Sequence, residues 1–139
     1  MRITVLTTIA IAAVSLATTQ PSAAQDSSTI NAPVSVVTCD VIDTYRSAPW
    51  GEGVDLVPTS ATVRVAFVNR SDRTVNDVTF VLAGRGGDLR IADEGRFSSG
   101  VQILHTFGPF DVDAIGPNAS CDVNVTSVTF DNGVVWRRA

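Results

Sequence analysis

Two cysteines are the residues of this chain whose types and spacing point most directly to chemistry. Cys39 and Cys121 are the only cysteines among 139 residues, and each alternates with valines in a strand-like pattern. A redox-active or metal-binding thiol pair needs a CxxC spacing or companion histidines, and the sequence has neither. In an exported chain such a pair is typical of a structural disulfide. We therefore expect a Cys39–Cys121 bond that closes a loop of roughly 80 residues and contributes on the order of 4 kcal/mol.

The single histidine, His105, is the one side chain that could serve as a general base near neutral pH. It alternates with Ile103 and Phe107, which predicts a packed or rim position on a strand. A Ser-His-Asp set can be assembled around it on paper from Ser98 or Ser99 and Asp111. No GxSxG motif marks either serine as an activated nucleophile. We therefore predict no catalytic residues, and a small hydrolase with an unrecognised site remains an alternative.

Acidic residues in predicted turns could supply oxygen ligands for calcium. They are Asp88, Asp93, Glu94, Asp111 and Asp113. Calcium takes six to eight oxygens, but these residues lack the EF-hand spacing, so solvated turn carboxylates are the simpler interpretation and calcium is left open. One histidine, and no methionine beyond Met1, leave few ligands for zinc or copper. We predict no metal site and no cofactor.

Tyr45, Trp50 and Glu52 form the most suggestive binding surface, in a glycine- and proline-rich segment over residues 43–58. Sandwich domains commonly bind through loops at the ends of their sheets, where exposed aromatic residues act as anchors. The simpler expectation for Trp50 is that it folds down and caps the core, because large aromatic side chains are usually mostly buried. We expect Trp136 to close the core in the same way.

The first 24 residues are predicted to be a secretory signal peptide. Met1-Arg2 precedes an apolar stretch over 3–17, and Ser22-Ala23-Ala24 provides small residues for cleavage near Ala24. The apolar stretch is short for a spanning helix, and no later stretch is long enough to span a bilayer. We expect a secreted or periplasmic protein with a disordered tail over 25–33, one domain over 34–139, and no membrane span after cleavage.

The charge pattern excludes one class of partner. The formal net charge is −4, and the ten basic residues are scattered along the chain. Nucleic acids and anionic membrane surfaces require clusters of basic residues. We therefore expect an unknown protein or carbohydrate partner and no nucleic acid.

The strands that must position these residues are visible as alternating apolar residues. The clearest alternation runs through 61–67 and 78–82, separated by a polar turn at 69–73. Similar short patterns recur before and after it, giving about seven strands and no helical periodicity. This predicts an all-β, two-sheet antiparallel sandwich with one disulfide, and a small closed barrel is the second choice.

The connections between these strands are predicted from turn-forming residues. Segments 43–58 and 108–117 are expected to be long irregular loops, and 93–96 is expected to be a turn. A slip in the alternation before Val128 predicts a β-bulge. Asn132-Gly133 predicts a type I′ hairpin turn before the last strand, whose edge could pair with another chain.

The pattern Val63-x-Val65-x-Phe67-Val68-Asn69-x-Ser71, followed by Val78-x-Phe80-x-Leu82, resembles the central strands of small exported bacterial immunoglobulin-like or fibronectin-type domains. The closing Val128-x-Phe130-Asp131-Asn132-Gly133-x-Val135-Trp136 is similar to the terminal hairpin of small exported bacterial proteins. The resemblance implies an immunoglobulin-like fold and a binding, adhesion or structural module without catalytic residues. Loops 43–58 and 108–118 would be its binding surfaces, and a secreted inhibitor acting through residues 45–53 is a further alternative.

Overall fold

The computed structural model of the chain describes residues 31–139, so the predicted signal peptide and residues 25–30 of the predicted tail lie outside the described residues. These residues form seven strands and one short helix. The elements are β1 (Val34–Trp50), β2 (Gly53–Asn69), β3 (Val75–Gly84), β4 (Gly87–Phe97), β5 (Gln102–Asp111), α1 (Val112–Ile115), β6 (Val123–Phe130) and β7 (Val135–Arg137).

The strands form two antiparallel sheets that enclose one core. The first sheet has the order β1-β2-β5, and the second has the order β4-β3-β6-β7. Two separate sheets confirm the predicted sandwich and show that the closed barrel is wrong. The largest fully buried side chains come mainly from β2 and β3; they include Val63, Val65, Phe67, Val78, Phe80 and Leu82.

The two strands with the clearest alternation face one another across the core instead of pairing side by side. Phe67 on β2 and Phe80 on β3 pack with their ring centroids 5.3 Å apart, and Phe97 meets Phe67 edge to face at 5.2 Å. The polar turn between the strands therefore carries the chain from one sheet to the other. Aromatic contacts of this geometry stabilise beyond the area they bury.

Asn69 holds this crossing in place. Its side chain is fully buried, and its Nδ2 donates hydrogen bonds to the carbonyl oxygens of Arg73 at 2.6 Å and of Phe97 at 2.9 Å. Its Oδ1 accepts hydrogen bonds from the Ser71 backbone N–H and hydroxyl. One buried amide therefore satisfies the backbone of the crossing turn and the end of β4, as buried polar groups require.

The predicted disulfide is present. Cys39 on β1 is bonded to Cys121, just before β6, with the two Cα atoms 5.5 Å apart and a sequence separation of 82. It therefore ties the first sheet to the second.

Three segments predicted to be irregular or turns belong to strands. Residues 43–58 lie in β1 and β2, residues 93–96 lie in β4, and residues 108–111 continue β5 into α1. The prolines were misleading because Pro49 and Pro58 lie where the hairpin has no third strand beside it. A proline there removes no hydrogen bond that the sheet needs. The four-residue helix α1 was also missed.

Strand β6 and the turn that follows it confirm one local prediction and correct another. The register between β3 and β6 shifts between Thr79 and Phe80, which leaves Thr126 as the extra residue of the predicted bulge. The turn is not type I′, because Gly133 has a positive φ of 80° and Asn132 does not. Trp136 packs against the core, as predicted.

We predict that Asn69→Ala lowers the free energy of unfolding by about 2–4 kcal/mol, because the buried Phe97 carbonyl and the part-buried Arg73 carbonyl lose their donor. Urea unfolding of the oxidised protein measures the effect. Asn124→Ala, at an exposed position on β6, is the matched control and should change stability by less than about 0.5 kcal/mol. Equal effects of the two substitutions would contradict the role given to Asn69.

Candidate functional site

The hairpin of β1 and β2 extends beyond the sandwich. β5 pairs with β2 only as far as the Ser60–Asp111 pair, whereas β1 and β2 continue to pair from Tyr45–Pro58 to Trp50–Gly53. We call residues 45–58 the arm. Six residues of β1 span roughly 17 Å at the usual rise of a strand. The arm is therefore a two-stranded hairpin that no third strand accompanies within the described part of the chain.

The arm displays large apolar side chains to solvent. Trp50 is 78% exposed, Val54 71% and Leu56 65%. The expectation that Trp50 caps the core is therefore wrong, because the second sheet does not extend beneath the arm. Tyr45 is 45% exposed near the base, and Glu52 is exposed in the turn at the tip.

Five apolar or aromatic side chains of the arm lie on one face of the hairpin, whereas Trp50, which pairs with Gly53, lies on the opposite face. Cross-strand partners point to the same side of a sheet, and successive residues alternate between sides. From the register, one face carries Ser47 and five apolar or aromatic residues, which we call the apolar strip: Tyr45, Pro49, Val54, Leu56 and Pro58. On β1 this face continues from the core-facing residues Val41 and Asp43. The apolar strip is thus the inner face of the first sheet, continued past the end of the second sheet.

The base of the arm is attached to the sandwich by polar contacts. The Asp43 carboxylate accepts a hydrogen bond from the Asn118 backbone N–H at 2.8 Å. The Tyr45 hydroxyl lies 3.3 Å from Asp43 Oδ2 and 3.3 Å from Asn118 Oδ1. The Thr59 hydroxyl donates to the Thr44 carbonyl at 3.0 Å, where the register shifts. Asn118 therefore braces the base of the arm.

The only histidine pairs with a buried carboxylate at the side of the sandwich formed by the edge strands β5 and β4. His105 Nδ1 lies 2.6 Å from Asp93 Oδ2, and their strands β5 and β4 are the edges of the two sheets. Asp93 is 6% exposed, whereas the His105 side chain is 46% exposed. Burial raises the pKa of Asp93 above its ordinary value, and the adjacent His105 opposes that rise. The His105 ring also packs edge-on against Phe107 and Phe97, which confirms the predicted rim position.

The structure does not assemble the Ser-His-Asp set that the sequence allowed. Asp111 lies opposite Ser60 while His105 lies opposite Val65, a separation of roughly 17 Å along β2. Asp111 instead accepts a hydrogen bond from the Asp113 backbone N–H and starts α1. The Ser99 hydroxyl donates to the Ser71 carbonyl. Sequence analysis missed Asp93 as the partner of His105, because no local pattern links two edge strands of different sheets.

Asp93 and Glu94, two of the candidate calcium ligands, lie in strand β4 and not in a turn. Asp93 points into the core from β4, and the next residue, Glu94, points to the opposite face. Across residues 31–139, no group of three or more His, Cys, Asp or Glu side chains is arranged to hold a metal ion.

Fold and site together define an all-β sandwich with a projecting apolar hairpin. Comparison of the chain with protein-family models, with curated proteins and with solved structures gave no match. In residues 31–139, no helix has the length and apolar character needed to cross a membrane.

Acidic neighbours on β3 and β4 generate a pH-dependent prediction. Asp77 lies opposite Glu94, and burial first, then the Glu94 charge, raises the pKa of Asp77. With raised folded-state pKa values, Asp77 and Asp93 contribute stability that is complete below about pH 4 and is lost as the pH rises through those values. We expect Asp77→Asn to raise the free energy of unfolding at pH 7 by about 0.5 kcal/mol, and the gain to shrink towards pH 4.

Urea titrations at the two pH values measure this difference. Asp88→Asn, which removes an exposed carboxylate from β4, is the control and should give no gain. A gain from Asp77→Asn that is as large at pH 4 as at pH 7 would refute the electrostatic explanation.

The exposure of Trp50 can be tested separately. In the Trp136→Phe variant, Trp50 is the only tryptophan, and we expect acrylamide to quench its emission as strongly as that of a solvated indole. In the Trp50→Phe variant, the half-buried Trp136 should be quenched markedly less. Equal quenching of the two single-tryptophan proteins would show that the arm is covered in solution.

Proposed function

We propose that this chain is an exported, non-catalytic β-sandwich module of immunoglobulin-like type that binds a protein partner through the arm. The observation that carries the proposal is the exposed apolar strip on one face of a hydrogen-bonded hairpin, with the exposed Trp50 on the opposite face near the tip. Contiguous exposed apolar surface of this kind is typical of interaction sites. Binding of a partner would remove this apolar surface from water, and its burial would contribute favourable free energy to the complex.

The strand order supports the immunoglobulin-like type. In constant-type immunoglobulin domains, the first, second and fifth strands share a sheet, and the third, sixth and seventh share the other. The same two sets occur here, and β4 lies beside β3 instead of β5. The disulfide between sheets is compatible with an oxidising compartment, which supports export.

The construction of the arm suits recognition. Pairing between β1 and β2 and the hydrogen bond at Asp43 keep the hairpin in its projecting conformation before any partner binds. A preorganised hairpin loses less conformational entropy on binding than an irregular loop would. Tryptophan and tyrosine are also the side chains that most often dominate the energy of protein interfaces.

A secreted inhibitor is the second candidate, and a specific observation favours it. The turn at Gly51-Glu52 ends a projecting, braced hairpin, which is the shape needed to enter the cleft of an enzyme. The two proposals share the same surface. They differ in whether the bound partner is an enzyme that loses activity when the arm occupies it.

Site-specific photo-crosslinking tests the proposal. We expect a photoreactive phenylalanine analogue at position 50 or 56 to crosslink to one discrete protein in the native envelope or culture fluid. The same analogue at Leu104, which is 58% exposed on β5, is the matched control and should not crosslink. Equal crosslinking from all three positions would contradict recognition by the arm.

Binding to the identified partner then gives the energetic test. We expect Trp50→Ser or Leu56→Ser to weaken binding by about 30-fold or more, because each removes an apolar anchor. Leu104→Ser should leave the affinity unchanged. Loss of the partner's enzymatic activity on binding would select the inhibitor over the plain binding module.

A further inference from the structure

A groove opens on the side of the sandwich away from His105, at the end of β1 opposite the arm. Its volume is about 440 Å³, and it lies between the start of β1 and the β6–β7 hairpin. Val34 and Val36 line one wall, and Val123, Val125 and Trp136 line the other. Val34 and Val125 are almost fully buried, so the floor of the groove is part of the core.

The groove follows an incomplete edge of the second sheet. β7 has only three residues and pairs with β6 at Ser127, Val128 and Thr129. The remainder of β6, Val123–Val125, pairs with β3 on one side and has no strand on the other within the described part of the chain. An edge of this kind presents backbone hydrogen-bonding groups that another strand can pair with.

Two side chains that line the groove lack a partner: Trp136 lacks a hydrogen-bond acceptor, and Arg138 lacks an acidic side chain beside it, among the described residues. The Trp136 indole Nε1–H is closed off from solvent and has no hydrogen-bond acceptor among the described residues. Arg138 lines the groove and donates to Asn124 Oδ1 at 2.8 Å, and no acidic side chain lines the groove with it. A buried donor without an acceptor costs free energy, and the exposed Arg138 guanidinium is the group of the groove that an added acidic side chain could pair with.

We propose that the groove accepts an extended segment of another protein, which adds to β6 where β7 stops. The segment would carry apolar residues at alternate positions and an aspartate or glutamate that pairs with Arg138. Alternate side chains of an added strand point to one face, so they would pack on the valines and Trp136. This site is separate from the arm and does not depend on the function proposed for it.

Charge argues against a second copy of the chain as the occupant. A two-fold antiparallel pairing of this edge with itself would bring the edges at Asn124 together. Arg138 is bonded to Asn124, so the arginines of both copies would meet at that pairing. Like charges at close range disfavour such an interface, whereas a carboxylate on a foreign strand is favoured.

A designed peptide tests the proposal on the purified, oxidised protein. The probe is a fluorescent peptide of about eight residues, the length of an ordinary strand, in which valine and threonine alternate after an initial glutamate. Two further probes carry N-methyl groups on alternate backbone amides. One is methylated at the odd-numbered positions and the other at the even-numbered positions. Strand addition predicts that one phase of methylation abolishes binding and the other is tolerated, because only alternate amides face the edge.

Variants of the protein locate the site. Arg138→Glu should weaken binding of the glutamate peptide about tenfold or more, and a peptide with lysine in place of glutamate should recover much of that loss. Arg90→Glu, at an exposed position on β4 at the far edge of the same sheet, should have no effect. Fluorescence anisotropy measures all these affinities, and none of the variants alters the arm.

Three results would overturn the proposal. They are binding that does not depend on which set of alternate amides is methylated, absence of binding by the unmethylated peptide, and a concentration-dependent dimer that competes with the peptide for the groove. The last result would assign the groove to a second copy.

Discussion

The inner face of β2 is the surface on which the rest of the structure packs. Ala61, Val63, Val65 and Phe67 are fully buried, and they meet the inner face of β3 across the sandwich. β2 is also the central strand of its sheet, so β1 and β5 both depend on it for their hydrogen bonds. Burial of these side chains stabilises the packing of the two sheets.

The same constraint explains where the protein displays apolar surface. β2 continues beyond Ala61, but β5 and the second sheet do not, so its inward-pointing positions emerge into solvent as part of the apolar strip. At the other end of β1, the short β7 leaves the edge of β6 at Val123–Val125 without a paired strand in the described residues. Both candidate interaction surfaces are therefore places where a strand continues beyond the end of a neighbouring strand.

Much of the fold could be predicted from local sequence, because alternation at 61–67 and 78–82 reports burial on one face directly. The bulge was predicted from the slip in this alternation before Val128, and the disulfide from an even pair of cysteines in a chain expected to be exported. The arm was not predicted, since prolines and glycines usually mark irregular chain and only the absence of a third strand makes them tolerable in β1 and β2. The pairing of His105 with Asp93 depends on two edges from different sheets, which no spacing along the chain encodes.

Amide hydrogen exchange of the free, oxidised protein, read residue by residue, tests the central claim that the arm is a preformed hairpin. The account predicts that the paired amides between Tyr45 and Pro58 exchange more slowly than an unstructured chain, although faster than those of the β2 core at Val63–Phe67, because only one partner strand protects them. Exchange of the arm amides at the unstructured rate would contradict the claim. Residues 43–58 would then be an irregular loop, and the apolar strip would not exist as a surface.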